Sequence, residues 1–87
     1  MSYYVYILRT SGDTLYTGIT NNLEKRLKEH RSKGIRSAKY LRSFDSIELV
    51  YSESYPTRSE ALKREYSLKQ LSKSEKEELV LSAKDRH

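Results

Sequence analysis

The 87-residue sequence contains no cysteine and no tryptophan, and only one proline and three glycines. Without cysteine, neither disulfide bonds nor thiolate-bound metal ions can stabilise the fold. The sequence also lacks an uninterrupted apolar run of the length needed for a membrane span or the core of a signal peptide. We therefore expect one small domain over residues 1–87, soluble and cytoplasmic, with a modest apolar core and no membrane partner.

Positive charge is concentrated in one part of the chain. The sequence has 17 Lys and Arg against 12 Asp and Glu, a formal net charge of +5. Residues 24–42 hold eight of the basic residues and two of the acidic ones, so the remainder is nearly balanced. Such a segment is typical of a surface that binds a polyanion, but a solvated helix face has the same composition. The eight are Lys25, Arg26, Lys28, Arg31, Lys33, Arg36, Lys39 and Arg42.

Hydrophobic patterning and turn residues predict the order β-β-α-β-α-α. Ser11-Gly12-Asp13 is typical of a hairpin turn, and helix starts are indicated where a capping residue precedes glutamate by three positions. The order implies helices flanking a small, mainly antiparallel three-stranded sheet, an α+β arrangement within the broad α/β class. The expected strands are residues 3–9, 14–19 and 46–52. The expected helices are capped by Asn21, Thr57 and Ser72, and they end near residues 33–34, 71 and 83. A short helical turn is expected within residues 35–42.

The third strand is predicted by alternation. Ile47, Leu49 and Tyr51 alternate with Glu48 and Val50, which is the pattern of a strand whose two sides face different surroundings.

Two tyrosines are expected to share one face of the hairpin. With the turn centred near Ser11 or Gly12, Tyr6 and Tyr16 lie on adjacent strands and point the same way. Gly18 follows two positions after Tyr16 and leaves a gap between side chains on that face. A strand tyrosine taken singly is more often an ordinary packing residue.

Arg26 and His30 are spaced i, i+4 and therefore share one face of the first helix. Leu23 and Leu27 flank that face, so the pair lies at the edge of the buried stripe. An exposed Arg and His on a basic helix would show the same spacing.

Glu65 is the most informative carboxylate. On a helical wheel it falls with Ala61 and Leu68 on the inward side, where an ionised carboxylate is costly unless it is paired or binds a metal. Lys69, one turn later, could supply an ion pair. Glu60, in contrast, is explained by helix capping.

In their order along the chain, these residues resemble the signature of the GIY-YIG nuclease family, most closely its small stand-alone bacterial members of uncharacterised role. The resemblance covers roughly residues 3–71. It departs from the family at Tyr4, where the signature has glycine, and at Thr17, where it has isoleucine. The matching segments are Tyr4-Val5-Tyr6, Tyr16-Thr17-Gly18, Arg26, His30 and Glu60-Ala61-Leu62-Lys63-Arg64-Glu65, the last resembling the family's E-A-L-x-x-E.

The resemblance implies a nuclease that hydrolyses nucleic-acid phosphodiesters, with DNA the expected substrate. Arg26 would hold the scissile phosphate, and Glu65 would bind one Mg²⁺ or Mn²⁺. Tyr6 or Tyr16 would activate water, helped by a cation or by neutral His30, because free tyrosine titrates near pH 10. The choice between the tyrosines stays open, with Tyr6 favoured because it lies deeper in the hairpin.

Two other functions fit the sequence: a nucleic-acid-binding module that does not cleave, and a protein-interaction domain in which the same polar residues form a structural cluster. In either nucleic-acid interpretation Tyr40 is expected to stack on a base. The oligomeric state is not predicted. The expected nucleic-acid contacts are Lys25, Arg31, Lys33, Arg36, Lys39, Tyr40, Arg42 and Lys69.

Overall fold

The computed structural model describes residues 2–32 and 39–84. The predicted order β-β-α-β-α-α and the α+β class are confirmed. A short 3₁₀ helix, η1, matches the end of the expected turn within residues 35–42, of which residues 35–38 lie outside the described residues. The elements are β1 (Tyr3–Thr10), β2 (Leu15–Thr20), α1 (Leu23–Ser32), η1 (Lys39–Ser43), β3 (Ile47–Tyr55), α2 (Arg58–Lys69) and α3 (Lys73–Lys84).

The three strands form an antiparallel sheet in the order β2-β1-β3. In the hairpin, Tyr6 pairs with Gly18 and Leu8 with Tyr16. Directly opposed residues and residues two apart share a face, so Tyr6 and Tyr16 point to the same side, as predicted. In the turn, Asp13 has a φ of 61°, a left-handed conformation that aspartate tolerates better than most residues.

The central strand β1 contributes alternate side chains to two separate cores. Val5 and Ile7 pack against α2 on one side, whereas Tyr6 and Leu8 pack on the other side against α1 and η1. We call these the α2 side and the α1 side of the sheet. The buried members are Val5, Ile7, Ala61 and Leu68 on the α2 side, and Tyr6, Leu8 and Leu41 on the α1 side.

A bulge in β3 breaks the simple alternation that the sequence predicted. Ile7 pairs with Tyr51 but Leu8 pairs with Leu49, so Val50 is an extra residue in β3. Leu49 consequently packs on the α1 side and Tyr51 on the α2 side. In a regular strand both would face the same way.

Two of the predicted helix caps are confirmed. The Thr57 hydroxyl accepts a hydrogen bond from the Glu60 backbone N–H at 3.2 Å. Ser72 and Glu75 form a reciprocal box, with the Ser72 hydroxyl 3.1 Å from the Glu75 nitrogen and the Glu75 carboxylate 2.9 Å from the Ser72 nitrogen. Within the described residues, no helix has the length and apolarity needed to cross a bilayer.

The cap of α1 is Asn22, not Asn21 as predicted. The Asn22 side-chain oxygen accepts from the Lys25 backbone N–H at 3.1 Å, and α1 begins at the next residue, Leu23. Adjacent asparagines offer the same capping group, so composition alone placed the start one residue early.

Ion pairs connect the helices to the sheet. Arg9 of β1 binds both carboxylate oxygens of Glu77 on α3, at 2.9 and 2.5 Å. It also reaches Asp13 in the hairpin turn at 3.0 Å. On the α2 side, the Arg64 guanidinium binds the Glu53 carboxylate of β3 at 2.9 and 3.1 Å. These contacts hold α2 and α3 at defined positions against the strands.

Candidate active site

Tyr6 and His30 form the centre of the polar group beneath α1. Both residues are only 1% exposed, and the Tyr6 hydroxyl oxygen lies 2.9 Å from His30 Nε2. Arg26 also acts on the Tyr6 hydroxyl, because it lowers the Tyr6 pKa against the effect of burial. The three side chains thus form one interacting group between β1 and α1.

Burial sets the protonation state of this group. Burial raises the pKa of Tyr6 to about 12; Arg26 opposes this rise, and the negative charge of Glu65 adds to it. Burial lowers the pKa of His30 to about 4, and the positive charge of Arg26 lowers it further against the opposing effect of Glu29. At neutral pH Tyr6 therefore keeps its proton and His30 is uncharged.

Gly18 makes room for the Tyr6 ring. A Cβ atom at position 18 would lie 2.4 Å from the Tyr6 hydroxyl oxygen and 2.5 Å from the ring carbon that carries it. The gap predicted beside the tyrosines is therefore present, and the ring of Tyr6 itself fills it.

Tyr16 is the more accessible of the two tyrosines. It is partly exposed, with its ring held between two other rings. The ring of His30 lies edge-on with centroids 5.8 Å apart and an interplanar angle of 74°. Tyr40 stacks on it at 6.2 Å and 15°. A substrate approaching the α1 side meets Tyr16 before it meets Tyr6.

Arg26 remains a cation with a partly open guanidinium. Its side chain is 27% exposed and its Nη1 lies 3.3 Å from the Glu29 carboxylate. Burial lowers the pKa of Arg26, but hydrogen bonds to Tyr6 and Glu29 more than offset that effect and raise it above its usual value. Arg26 and His30 both interact with Tyr6, so they share the helix face that the i, i+4 spacing predicted.

Glu65 approaches the group from the other helix. The apolar residues of α2, Ala61 and Leu68, pack on the α2 side of the sheet, away from Tyr6. The Glu65 side chain is 17% exposed, and its carboxylate lies 3.5 Å from Lys69 Nζ. This is the ion pair with Lys69 that the sequence analysis considered possible. The negative charge of Glu65 raises the pKa of the Tyr6 hydroxyl. The link between Glu65 and the other four residues is thus electrostatic.

The expected nucleic-acid contacts lie largely around the α1 side. Lys25 and Arg31 are exposed on α1, and Lys39 and Arg42 are exposed on η1. Tyr40 is 46% exposed, and the Lys69 side chain on α2 is 53% exposed. Lys33 and Arg36 lie outside the described residues. A basic rim therefore borders the surface that carries Tyr16.

The metal implied by the resemblance would have few protein ligands. Among residues 2–32 and 39–84, no three His, Asp or Glu side chains are grouped so as to hold an ion. Mg²⁺ is commonly held by one or two carboxylates, with waters and substrate phosphates completing its shell. Glu65 fits such a site, because its carboxylate is partly exposed and the Lys69 side chain that pairs with it is half exposed.

Two features of the structure were missed by the sequence analysis. The stacking of Tyr40 on Tyr16 joins residues far apart in the chain, and no local spacing indicates it. The Glu53 carboxylate accepts hydrogen bonds from Tyr51, from Tyr55 at 2.6 Å and from Arg64. Burial raises the pKa of Glu53, but these hydrogen bonds outweigh it and hold the pKa below its usual value. A strand extended to Tyr55, with its alternating Tyr-x-Glu-x-Tyr, would have suggested this second cluster.

Solved structures share this fold. The solution NMR structure of a UPF0213 protein from Bacillus halodurans is 40% identical, with a TM-score of 0.59 over 92% of this chain and 83% of that one. The solution NMR structure of a protein from E. faecalis is 31% identical, with a TM-score of 0.66 over 100% of this chain and 91% of that one.

Sequence relatives agree. A UPF0213 protein from Desulfotalea psychrophila is 48% identical over 79 residues, which cover 91% of this chain and 71% of that protein. Another from Natronomonas pharaonis is 44% identical over 78 residues, covering 90% and 89%. The family model described as the GIY-YIG catalytic domain matches residues 2–78, the span that holds the two tyrosines, Arg26, His30 and Glu65. The chain therefore belongs to the GIY-YIG family, and its relatives are the small UPF0213 proteins.

Proposed function

We propose that the protein is a nuclease that hydrolyses phosphodiester bonds, with DNA as its substrate. The observation that supports this best is the buried Tyr6–His30 hydrogen bond, with Arg26 acting on the same hydroxyl, directly beside the accessible Tyr16. The basic rim on α1 and η1 borders the same surface, as a site for a polyanion requires.

Tyr16 is the better candidate for the residue that activates water. A general base must release its own proton near the working pH, and Tyr6, whose hydroxyl is hydrogen-bonded to the buried His30, has a pKa of about 12. Tyr6 instead holds His30 and Arg26 in place. This reverses the preference for Tyr6 drawn from its depth in the hairpin, because depth brings the burial that prevents ionisation.

Arg26 and Glu65 complete the proposed site. The partly exposed Arg26 guanidinium would bind the scissile phosphate with two parallel hydrogen bonds and stabilise the negative charge that builds in the transition state. Glu65 would hold one Mg²⁺ or Mn²⁺. Such an ion, when bound, supplies Lewis-acid stabilisation of the leaving oxygen.

The test is cleavage of supercoiled, linear and branched DNA and of RNA, each in Mg²⁺ and in Mn²⁺. Glu65→Gln should abolish cleavage while the melting temperature and DNA affinity stay close to wild type, since only the anionic metal ligand is lost. The matched control is Glu60→Ala on the same helix. Glu60 is exposed and its backbone N–H, not its side chain, makes the observed capping bond, so this variant should cleave normally. The opposite result for the two variants would reverse their assigned roles.

The Lys69–Glu65 ion pair favours a second candidate, a nucleic-acid-binding module that does not cleave. At 3.5 Å, Lys69 already neutralises the carboxylate on which metal binding would depend. Salt-sensitive DNA binding by the wild type, without cleavage in either metal, would establish this function. Metal-dependent cleavage that increases in Lys69→Ala would exclude it.

A further inference from the structure

Tyr40 is an exposed side chain on a short helix, yet it has several specific contacts. It is 46% exposed and does not belong to the apolar core on the α1 side. Its ring nevertheless stacks on Tyr16 and meets Phe44 edge-on, with centroids 5.1 Å apart and an angle of 61°. Its hydroxyl oxygen lies 2.7 Å from Thr14 Oγ1. Three separate contacts therefore fix an exposed ring that contributes little to the core.

The anchor for Tyr40 extends into the hairpin. Thr14 Oγ1 lies 2.7 Å from Thr10 Oγ1, and Thr10 is only 4% exposed. The Thr10 hydroxyl also accepts hydrogen bonds from the backbone N–H groups of Gly12 and Thr14, at 3.2 and 3.3 Å. A chain of hydroxyls thus ties η1 to the turn that joins β1 and β2, two residues before Tyr16.

Tyr16 is in contact with two other rings. One side of the Tyr16 ring meets His30, which is buried and hydrogen-bonded to Tyr6. The Tyr40 ring provides a second contact, and its stacked geometry limits rotation of the phenol. Tyr16 also packs against the α1-side core, but β2 is an edge strand, so among residues 2–32 and 39–84 no further strand lies beside Tyr16.

We propose that Tyr40 is a positioning residue for Tyr16: it holds the phenol ring in the orientation that presents its hydroxyl to the phosphodiester. The proposal rests on the proposed function, in which Tyr16 activates water. It assigns Tyr40 a role different from the base stacking expected from the sequence, and the two roles differ in the kinetic constant that they affect.

The first experiment compares kcat with KM in two graded variants. Tyr40→Leu removes the stack and should lower kcat by about 10- to 100-fold with little change in KM, since small displacements of a reacting group have effects of this size. Tyr40→Phe keeps the stack and loses only the hydroxyl, so it should retain most of the activity. A raised KM with unchanged kcat in Tyr40→Leu would overturn positioning in favour of base stacking.

Two further variants locate the effect. Thr14→Val removes the same hydrogen bond from its other end, together with the one to Thr10, so its effect should be at least that of Tyr40→Phe. Adding Tyr40→Phe to Thr14→Val should change nothing further, because the bond that they share is already gone. Tyr66→Leu is the matched control, because Tyr66 is 69% exposed on α2, on the other side of the sheet. An equal loss of kcat in the Tyr66 variant would overturn the proposal.

The second experiment is independent of cleavage. In protein with isotope-labelled tyrosine rings, NMR should show ring-current shifts between Tyr16 and Tyr40 and close contacts between the rings of Tyr16 and His30. Tyr40→Leu should remove the shift and weaken the Tyr16–His30 contacts, whereas Tyr66→Leu should leave both unchanged. Unchanged Tyr16–His30 contacts in Tyr40→Leu would overturn positioning even if the wild type cleaves. Weakened contacts in a protein that cleaves nothing would uphold the positioning and overturn the nuclease assignment alone.

Discussion

At the scale of single residues, burial determines what Tyr6 and His30 can do. Burial leaves His30 without charge at neutral pH, and the positive charge of Arg26 adds to that effect. Tyrosine and histidine are both residues of acid–base chemistry. In the proposed function, however, they serve as a fixed support for Arg26 and Tyr16.

Folding stability should depend on pH through His30. Its folded pKa, about 4, is below the unfolded value near 6.5, so the unfolded chain binds more protons between these limits. The contribution is therefore fully present above pH 6.5 and is lost as the pH falls towards 4, by about 3 kcal/mol. The measurement is the free energy of unfolding by urea from pH 4 to pH 8.

The control for this effect is His30→Gln, which cannot titrate in that range. Glu53 also has a lowered pKa, so both proteins should lose stability at the acidic end. The difference between their curves isolates His30. Parallel curves between pH 4 and 6.5 would show that His30 is charged in the folded protein.

We predict that a substitution of Thr17 raises the stability of the fold. Thr17 is 4% exposed on the α2 side, and its hydroxyl has no hydrogen-bond partner in the part of the chain that the structure describes. A buried unpaired hydroxyl costs about 1–3 kcal/mol, and Thr17→Val replaces it with a methyl group of similar size. The melting temperature should rise by several degrees, about 4–8 °C per kcal/mol for a domain of this size. A drop in melting temperature would mean that the hydroxyl has a partner, such as a bound water.

At the scale of secondary structure, the ends of the helices follow short-range rules and are largely predictable. Thr57 and Ser72 cap their helices as expected, because each needs only a side chain and a backbone N–H three residues apart. The α1 cap was misplaced by one residue, since Asn21 and Asn22 have the same chemistry and their difference lies in backbone conformation.

The corrected cap can be tested by two matched substitutions. Asn22→Ala should lower the free energy of unfolding by about 0.5–2 kcal/mol, because it leaves the Lys25 N–H without its side-chain acceptor. Asn21→Ala removes an exposed asparagine outside α1 and should have a much smaller effect. Chemical denaturation of the two variants side by side decides between the positions, and equal losses would refute the reassignment.

Strand contacts are only partly predictable from sequence. The shared face of Tyr6 and Tyr16 followed from the period of two and the short turn, both local properties. No glycine or proline marks the bulge at Val50, which lets one strand place Leu49 and Tyr51 in different cores. The stacking of Tyr40 on Tyr16 and the Arg64–Glu53 pair depend on how distant elements pack, which spacing along the chain does not specify.

At the scale of the whole molecule, charge is distributed unequally between the two sides of the sheet. The exposed cations of α1 and η1 border the α1 side, whereas the three lysines of α3 are matched by three glutamates. If this arrangement binds DNA, the logarithm of affinity should fall linearly with the logarithm of salt concentration.

A triple substitution measures how much of the binding comes from this rim. Lys25, Lys39 and Arg42 changed together to Ala should make the salt slope shallower by about 3, roughly one unit for each phosphate that is no longer neutralised. The control is the same change in Arg58, Lys63 and Lys76 of α2 and α3, which alters net charge equally and should leave the slope close to wild type. Equal effects of the two triple variants would show that only net charge matters.

The bulge in β3 also limits how this protein can change in length during evolution. Leu49 and Tyr51 face opposite sides of the sheet only because Val50 is an extra residue between them. Loss of Val50 itself would make Leu49 and Tyr51 neighbours in a regular strand, where successive residues alternate, so each would keep its side and its partner on β1. Loss of a different residue of β3 would instead use up the bulge, and the residues between the deleted position and Val50 would turn to the opposite side of the sheet.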